Sequence, residues 1–120
     1  MKLAVTSQGP DLRSSIDPRF GRAKCFIVID TQTGQFSAAD NSINLNAAQG
    51  AGIQAAETVS RLGAEVVITG HCGPKAFRAI AVAGIEVYAG VEEHTVAEAI
   101  ALYEAGRIEP LETADTQGHW

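Results

Sequence analysis

The order of strand and helix signals between residues 63 and 106 most constrains what this chain can fold into. Residues 65–69 and residues 85–89 are short runs rich in β-branched and aromatic side chains, too brief for helices and typical of buried strands. Each run follows a glycine, Gly63 or Gly84, that ends a helical pattern, and a further helical pattern comes after it. Because a strand–helix–strand–helix order implies parallel strands with right-handed crossovers, the sequence predicts an α/β domain.

Three segments carry apolar residues at the spacing of a helix with one buried face. The first covers residues 50–62, the second covers residues 74–83, and the third begins after Thr95. Pro74 suits the first helical position because its missing N–H has no partner there, and Thr95 with Glu98 has the spacing of a capping box. The side chains expected to face the core are Ile53, Ala56 and Val59 in the first helix, Phe77, Ile80 and Ala81 in the second, and Val96, Ala99, Ile100 and Tyr103 in the third.

The first forty residues predict the rest of the sheet. Residues 2–7 and residues 25–30 are apolar strands, and a turn at residues 31–34 joins the second of them to a weaker strand at residues 35–40 as an antiparallel hairpin. With the two later strands, these give a mixed sheet of about five strands with helices packed on it. Cys25 lies inside an apolar strand and is expected to be a core residue.

The chain is long enough for one domain with a real core, since 46% of its 120 residues are apolar. Residues 1–110 are interpreted as this domain, and residues 111–120 as an acidic, flexible tail. No apolar run approaches the roughly 20 residues of a membrane helix, and no signal peptide opens the sequence. A cytoplasmic protein is therefore expected, in which Cys25 and Cys72 are reduced and form no disulfide.

A polar loop at residues 8–23 is long for a compact domain, and such loops are often functional. Residues 17–22 within it combine an Asp-Pro turn, an aromatic anchor and the guanidinium groups of Arg19 and Arg22. A second polar loop is expected at residues 40–46. The first of these loops is the candidate for function.

Two glycines, Gly50 and Gly52, fall at the start of the first helix, where each destabilises the helix by roughly 1 kcal/mol relative to alanine. Close approach of a ligand or of another backbone would explain them. Close packing of the helix on the sheet would explain them equally well. The sequence leaves both explanations open.

The turn after the strand at residues 65–69 leads into the helix that begins at Pro74. It lies at the carboxyl end of a parallel strand, where α/β sheets bind ligands, and the helix N-terminus contributes free N–H groups and a positive dipole end. His71, Cys72 and Lys75 lie at this turn, so a soft metal or an anion would find ligands and positive potential together. One histidine and one cysteine cannot complete a simple metal site, whereas a preformed cluster brings its own sulfides. The alternative is that Cys72 packs in the core and His71 is an exposed loop residue.

Positive charge is gathered in two segments of an acidic chain. The net charge is −5, which argues against nonspecific nucleic-acid binding. Residues 13–24 and residues 75–78 hold six of the nine basic side chains, whereas from Glu86 onward eight side chains are acidic and one is basic. This distribution favours a local anion site. The alternatives are scattered surface charge, and pairing of the loop arginines with Asp11 or Asp17.

Four motifs occur in the order in which a known family carries them, at residues 17–23, 50–56, 70–77 and 83–88. With these motifs the chain resembles the dinitrogenase iron–molybdenum cofactor biosynthesis family, a domain found in NifX, NafY and the C-terminal part of NifB. The resemblance implies a three-layer fold of the ribonuclease H-like type and the binding of an anionic metal–sulfide cluster. For a small chain of this kind it implies a molybdenum–copper sulfide cluster, with an iron–molybdenum–sulfur cluster as the alternative.

The resemblance also implies where the cluster binds and which partners the chain has. It points to residues 19–22 and 70–74, and to a donor or recipient metalloprotein. The family commonly has Asn where this chain has Lys75, and the pair of His71 and Cys72 is not general in it, so ligand roles for these two rest on their chemistry. The candidate binding residues are Arg19, Gly21, Arg22, Gly50, Gly52, Gly70, His71, Cys72, Gly73, Pro74 and Lys75, with His71 and Cys72 as candidate metal ligands.

These features favour a non-catalytic protein that binds or carries a metal–sulfide cluster, without nucleic acid or membrane as partner. A thiol or redox protein built on Cys72 and His71 is an alternative, but it lacks a resolving cysteine in Cys-x-x-Cys spacing. A phosphate- or nucleotide-binding module at residues 70–75 is another, but it lacks the Walker pattern. A nuclease needs clustered carboxylates, and the first strand carries none.

Overall fold

A mixed five-stranded sheet is the centre of the computed structural model, which describes residues 1–41 and 50–112. The strands are β1 (Lys2–Ser7), β2 (Cys25–Asp30), β3 (Phe36–Asp40), β4 (Val66–Ile68) and β5 (Glu86–Tyr88), in the spatial order β3-β2-β1-β4-β5. Strands β1, β4 and β5 are parallel, whereas β2 runs antiparallel to both β1 and β3. The predicted hairpin and the predicted parallel strands are therefore confirmed, and β1 joins them as the central strand.

The helices in the described part of the chain are α1 (Ala51–Arg61), α2 (Pro74–Val82) and α3 (Val96–Glu104). Pro74 is the first residue of α2, as its fixed φ predicts. The capping box before α3 is confirmed, because the N–H of Glu98 donates to Oγ1 of Thr95 over 3.2 Å and the N–H of Thr95 donates to Oε1 of Glu98 over 2.8 Å. The hydrogen bond from the Thr95 backbone lowers the pKa of the Glu98 carboxyl.

Helices cover both faces of the sheet, because neighbouring strand residues point to opposite sides. Ala4 of β1 belongs to a first core with Val59 of α1 and Ile80 of α2. Leu3 of β1 belongs to a second core, on the opposite face, with Ile100 of α3. The α/β fold with a mixed sheet between helices is thus confirmed, and it is compatible with the ribonuclease H-like architecture that the resemblance implies.

The prediction of inward side chains is wrong at two positions. Ile53 of α1 is 41% exposed, and Ala81 of α2 is exposed. Their helices bury Ala55 and Ala76 instead. The physical reason is that α1 and α2 pack against each other as well as on the sheet, and a pattern with one buried face does not register this second contact.

Cys25 is half-buried and belongs to neither core, contrary to the prediction. It is the first residue of β2, and its thiol donates to the carbonyl oxygen of Gly9 over 3.1 Å. Partial burial raises the pKa of this thiol. The apolar pattern correctly predicts burial in the middle of β2, but Cys25 lies at the end of the strand, beside a loop, and is therefore only half-buried.

The described chain stays part of the domain just past the predicted boundary at residue 110. The N–H of Leu111 donates to the carbonyl oxygen of Val87 over 2.7 Å, and Leu111 packs against the first core. The rest of the predicted tail, from residue 113, lies outside the described residues, as does most of the loop predicted at residues 40–46. Within residues 1–41 and 50–112, no helix is long and apolar enough to cross a membrane.

Candidate functional site

The long loop between β1 and β2 is folded around the carboxylate of Asp17. Asp17 is only 2% exposed, and its carboxylate oxygens accept hydrogen bonds from the backbone N–H groups of Arg19 at 3.0 Å and Lys24 at 3.3 Å. Its carbonyl oxygen accepts from the buried hydroxyl of Thr6 in β1 at 2.8 Å. These bonds hold the loop against the end of β1, so the Asp-Pro turn indicated by the sequence has a defined structural role.

Two further side chains anchor the same loop. Phe20 is fully buried, with its ring centroid 5.6 Å from that of Phe26, which confirms the predicted aromatic anchor. Asn41 is also buried, and its Nδ2 donates to the carbonyl oxygens of Gly21 at 3.3 Å and Ala23 at 2.8 Å. Asn41 could not be identified from the sequence, because nothing in a polar segment distinguishes a buried amide from an exposed one.

The turn between β4 and α2 is hydrogen-bonded directly to this loop. The N–H of His71 donates to the carbonyl oxygen of Pro18 at 2.8 Å, and the N–H of Phe20 donates to that of His71 at 3.2 Å. Arg19 and His71 are thereby paired like residues of neighbouring parallel strands. Only glycine fits at Gly70, because a Cβ there would lie 2.6 Å from Cα of Pro18. The two segments form one surface, here called the loop–turn surface, which comprises residues 17–22 and 70–75.

Glycines connect the loop–turn surface to the start of α1. A Cβ on Gly21 would lie 2.8 Å from Cα of Gly52, and a Cβ on Gly52 would lie 2.8 Å from Cβ of Ala76 in α2. Gly50 precedes α1 with a φ of 79°, in the left-handed region that favours glycine. Close approach of neighbouring chain segments therefore explains Gly21 and Gly52, and the left-handed φ explains Gly50. Of the two explanations that the sequence left open for Gly52, close approach is the one that fits, because its neighbours are the loop and α2.

Two basic side chains of the loop–turn surface have carboxylate neighbours. Nε of Arg19 lies 3.6 Å from Oδ1 of Asp17, which is the pairing that the sequence left open for this arginine. Nε2 of His71 lies 3.7 Å from Oε1 of Glu92, and the two form an ion pair when the imidazole is protonated. An anion bound here would therefore lie beside the Arg19 guanidinium, which already has a carboxylate neighbour.

Helix α2 begins without a side-chain cap. Gly73 occupies the N-cap position, Pro74 has no N–H, and none of the described residues accepts a hydrogen bond from the backbone N–H of Lys75 or Ala76. Lys75 is exposed in the first turn, which contains no acidic residue, and Arg22 is half-buried on the loop. This end of α2 therefore presents two backbone donors, a positive dipole end and the cationic side chain of Lys75.

Cys72 and His71 do not point to one place, although they are adjacent. The side chain of His71 is 33% exposed, whereas Cys72 is fully buried in the first core, with its thiol 3.7 Å from the carbonyl oxygen of Gly73. Cys72 therefore packs in the core, as the alternative interpretation expects, and its role as a metal ligand stays a prediction. In the described part of the chain, no group of three or more His, Cys, Asp or Glu side chains is arranged to hold a metal ion.

The described domain matches a known sequence family. A model of the family described as dinitrogenase iron–molybdenum cofactor matches residues 1–106, which include both segments of the loop–turn surface. An uncharacterised protein of Methanocaldococcus jannaschii is 27% identical over 114 residues, covering 93% of this chain and 92% of that relative. The family match therefore extends over nearly all of the domain.

Two solved structures are similar to the chain in both sequence and fold. The apo form of the orange protein from Desulfovibrio gigas superposes with a TM-score of 0.94 at 39% identity, over 96% of each chain. A putative NifB protein from Thermotoga, solved by NMR, superposes with a TM-score of 0.84 at 35% identity, over 98% of each chain. Both similarities extend over nearly the whole chain, and they confirm the α/β fold class.

Proposed function

This chain belongs to the dinitrogenase iron–molybdenum cofactor family, and on this premise we propose that it binds an anionic metal–sulfide cluster containing molybdenum. The cluster binds at the loop–turn surface. The observation that carries the proposal is the backbone pairing of Arg19 with His71, because it brings the basic loop to the uncapped N-terminus of α2. An anion there accepts hydrogen bonds from free backbone N–H groups and interacts favourably with the helix dipole.

The donor groups fit a preformed anionic cluster better than a single metal ion. Arg19, Arg22 and Lys75 contribute positive charge and N–H donors. A cluster already has sulfide ligands, so it does not need the three or four protein ligands of a simple metal site. Of the two predicted metal ligands, His71 has an imidazole that reaches the surface, whereas ligation by Cys72 requires the core to open.

In particular, we propose a molybdenum–copper sulfide cluster, with an iron–molybdenum–sulfur cluster as the alternative. Such a cluster contributes copper or iron sites that an imidazole can ligate. The similar structure from Desulfovibrio gigas is described as an apo form, and this supports the binding of a ligand by the present chain. The chain acts as a carrier without catalysis of its own, and it exchanges the cluster with a donor or recipient metalloprotein.

Reconstitution tests cluster binding. Apo protein mixed with tetrathiomolybdate and copper(I) should retain visible absorption through gel filtration, in proportion to the protein. The variant Arg22→Ala/Lys75→Ala should bind the cluster about tenfold more weakly or worse, because two charges near the anion are lost. Arg107→Ala, which removes an exposed arginine outside the surface, is the matched control and should bind like the unaltered protein. Absorption that elutes only with the small molecules would contradict the proposal.

Two further experiments distinguish the proposal from its alternatives. Because Cys72 is buried, a folded Cys72→Ala variant should retain the absorption, and its loss would show that the thiol is a ligand. An excess of inorganic phosphate or ATP should not displace the bound cluster. Displacement would instead favour a phosphate-binding module at residues 70–75.

A further inference from the structure

A groove with a volume of about 950 Å³ runs between α1 and α2. Its lining includes Ile53 and Val82, which are exposed, so it lies on the outer side of these helices, away from the sheet. Lys75 lines the groove and also belongs to the loop–turn surface, so the two regions are contiguous. Nothing in the cluster-binding proposal uses this groove.

The groove presents apolar side chains that the fold leaves in water. Val82 is 85% exposed and Ile53 is 41% exposed, and the half-buried Ala79 lines the groove as well. Among the described residues, these two are half of the four large hydrophobic side chains that are exposed. An exposed apolar surface rimmed by polar residues is typical of an interaction site.

Positive charge surrounds this apolar surface. Arg61, Lys75 and Arg78 line the groove together with one carboxylate, that of Glu57. The chain as a whole carries a net charge of −5, so the local excess of cations runs against its overall charge. An occupant with an apolar stripe and acidic flanks would be complementary in both hydrophobicity and charge.

We propose that the groove binds an amphipathic helix with acidic flanks that belongs to a partner protein. Helix α1 has 11 residues and α2 has 9, so the groove is about 14–17 Å long, which accommodates about two and a half to three turns of a third helix. Such a helix inserts apolar side chains spaced three and four apart between the ridges of α1 and α2. A second copy of this chain fits less well, because the exposed positions of its acidic helix α3 include the small residues Ala97 and Ala101.

This docking site goes beyond cluster binding and does not depend on it. Because Lys75 is shared, a docked helix would lie beside a cluster held at the loop–turn surface. The expectation that a docked partner lies beside the cluster, where it could deliver or receive it, rests on the proposed function. The docking itself does not. The test therefore uses protein without any cluster.

A synthetic helical peptide of about 18 residues, with leucine at every third or fourth position and glutamate at the flanking ones, probes the groove. Added to the whole ¹⁵N-labelled chain, it should shift the amide resonances of Ile53, Arg78 and Val82. The variants Arg78→Glu and Val82→Glu alter exposed side chains and should weaken binding about tenfold or more. Arg107→Glu makes the same charge change outside the groove and should leave the affinity unchanged.

Several results would overturn the docking proposal. One is that no amide resonance of the groove shifts when the peptide is added. Another is that a peptide with lysine in place of glutamate binds with equal affinity. Groove shifts that grow with protein concentration alone would assign the groove to a second copy. Nuclear Overhauser contacts from residues 113–120 to Val82 in the free protein would assign it to the chain's own end. Each of these results leaves cluster binding untouched, so the two proposals fail separately.

Discussion

Two strand-to-helix connections lie at the carboxyl ends of neighbouring parallel strands, yet their helices begin in opposite ways. At α3, the N–H groups of residues 96–98 all have acceptors, two on loop carbonyls and one on the hydroxyl of Thr95. At α2, Gly73 contributes no side chain, and no described residue accepts from the N–H of Lys75 or Ala76. A helix start at this edge of a sheet is a candidate anion site only where the chain leaves its donors free.

The charges at the two helix N-termini also favour an anion at α2 rather than at α3. Glu98 places a carboxylate in the first turn of α3, where it interacts favourably with the dipole. Helix α2 has no acidic residue in its first turn and carries Lys75 there instead. Helix α3 thus has a carboxylate of its own at its N-terminus, whereas the N-terminus of α2 is available to an external anion.

Gly70→Ala should disrupt the hydrogen-bonded contact between the loop and the turn of the loop–turn surface. Of the substitutions proposed here, it should lower the free energy of unfolding most. Its Cβ would lie 2.6 Å from Cα and 2.9 Å from the carbonyl oxygen of Pro18, so backbone must move, and the free energy of unfolding should fall by about 3 kcal/mol. Gly90→Ala, in the other connection, meets nothing within 4 Å and has only the strain of a φ of 86°, about 1 kcal/mol. Urea unfolding measures both losses. Equal losses would mean that the contact with Pro18 does not hold the site together.

Lys75→Glu should make the start of α2 resemble that of α3. A carboxylate in the first turn suits the dipole, so stability should hold or rise by about 0.3 kcal/mol. Retention of the thiomolybdate–copper cluster in gel filtration should nevertheless weaken about tenfold, because the new carboxylate repels the anion. The mirror change, Glu98→Lys, should leave retention unaltered. The reverse outcome would place the cluster at α3.

Thr95→Ala should remove the cap of α3 and lower the free energy of unfolding by about 1 kcal/mol. The hydroxyl oxygen of Thr95 accepts the N–H of Glu98, and no described part of the loop–turn surface depends on this bond. Denaturation curves measure the loss, and cluster retention should be unchanged. Weakened retention in the folded variant would show that the two helix starts are coupled.

Glu98→Gln should have the smallest effect, and one that depends on pH. The pKa of Glu98 is lowered in the folded chain, so its contribution to stability is present above the unfolded value, about 4.3, and is lost as pH falls through the folded value. The urea midpoints of the variant and the unaltered protein should therefore differ at about pH 7 and converge toward about pH 3. A difference that is the same at both pH values would show that the carboxylate charge plays no part.

Much of the fold could be predicted because its signals are local. The apolar runs at residues 2–7 and 25–30 predicted β1 and β2 with the correct bounds, and Pro74 predicted the first residue of α2. The buried side of α1 could be predicted only in part, since Ala56 and Val59 are buried as expected but Ile53 is not. Ile53 is exposed while Gly52 packs against Ala76, because the contact between α1 and α2 needs small residues, and that need arises from a neighbour distant in sequence.

The residues of the candidate site could be predicted, but the directions of their side chains could not. The sequence selected both Arg19 and His71, and the structure pairs their backbones. Whether Cys72 faces the surface or the core depends on the backbone angles of the turn, which its composition does not determine. Asn41 was missed for a related reason, since its amide is buried by the loop that it holds.

The central claim is that the loop and the start of α2 form one anion-binding surface. Titration of the ¹⁵N-labelled apo protein with tetrathiomolybdate and copper(I) tests it most directly, because every backbone donor is observed separately. The largest amide shifts should fall on Arg19, His71, Lys75 and Ala76, with residues 96–98 unchanged. Largest shifts at residues 96–98, or none at Lys75 and Ala76 while the cluster is bound, would contradict the claim.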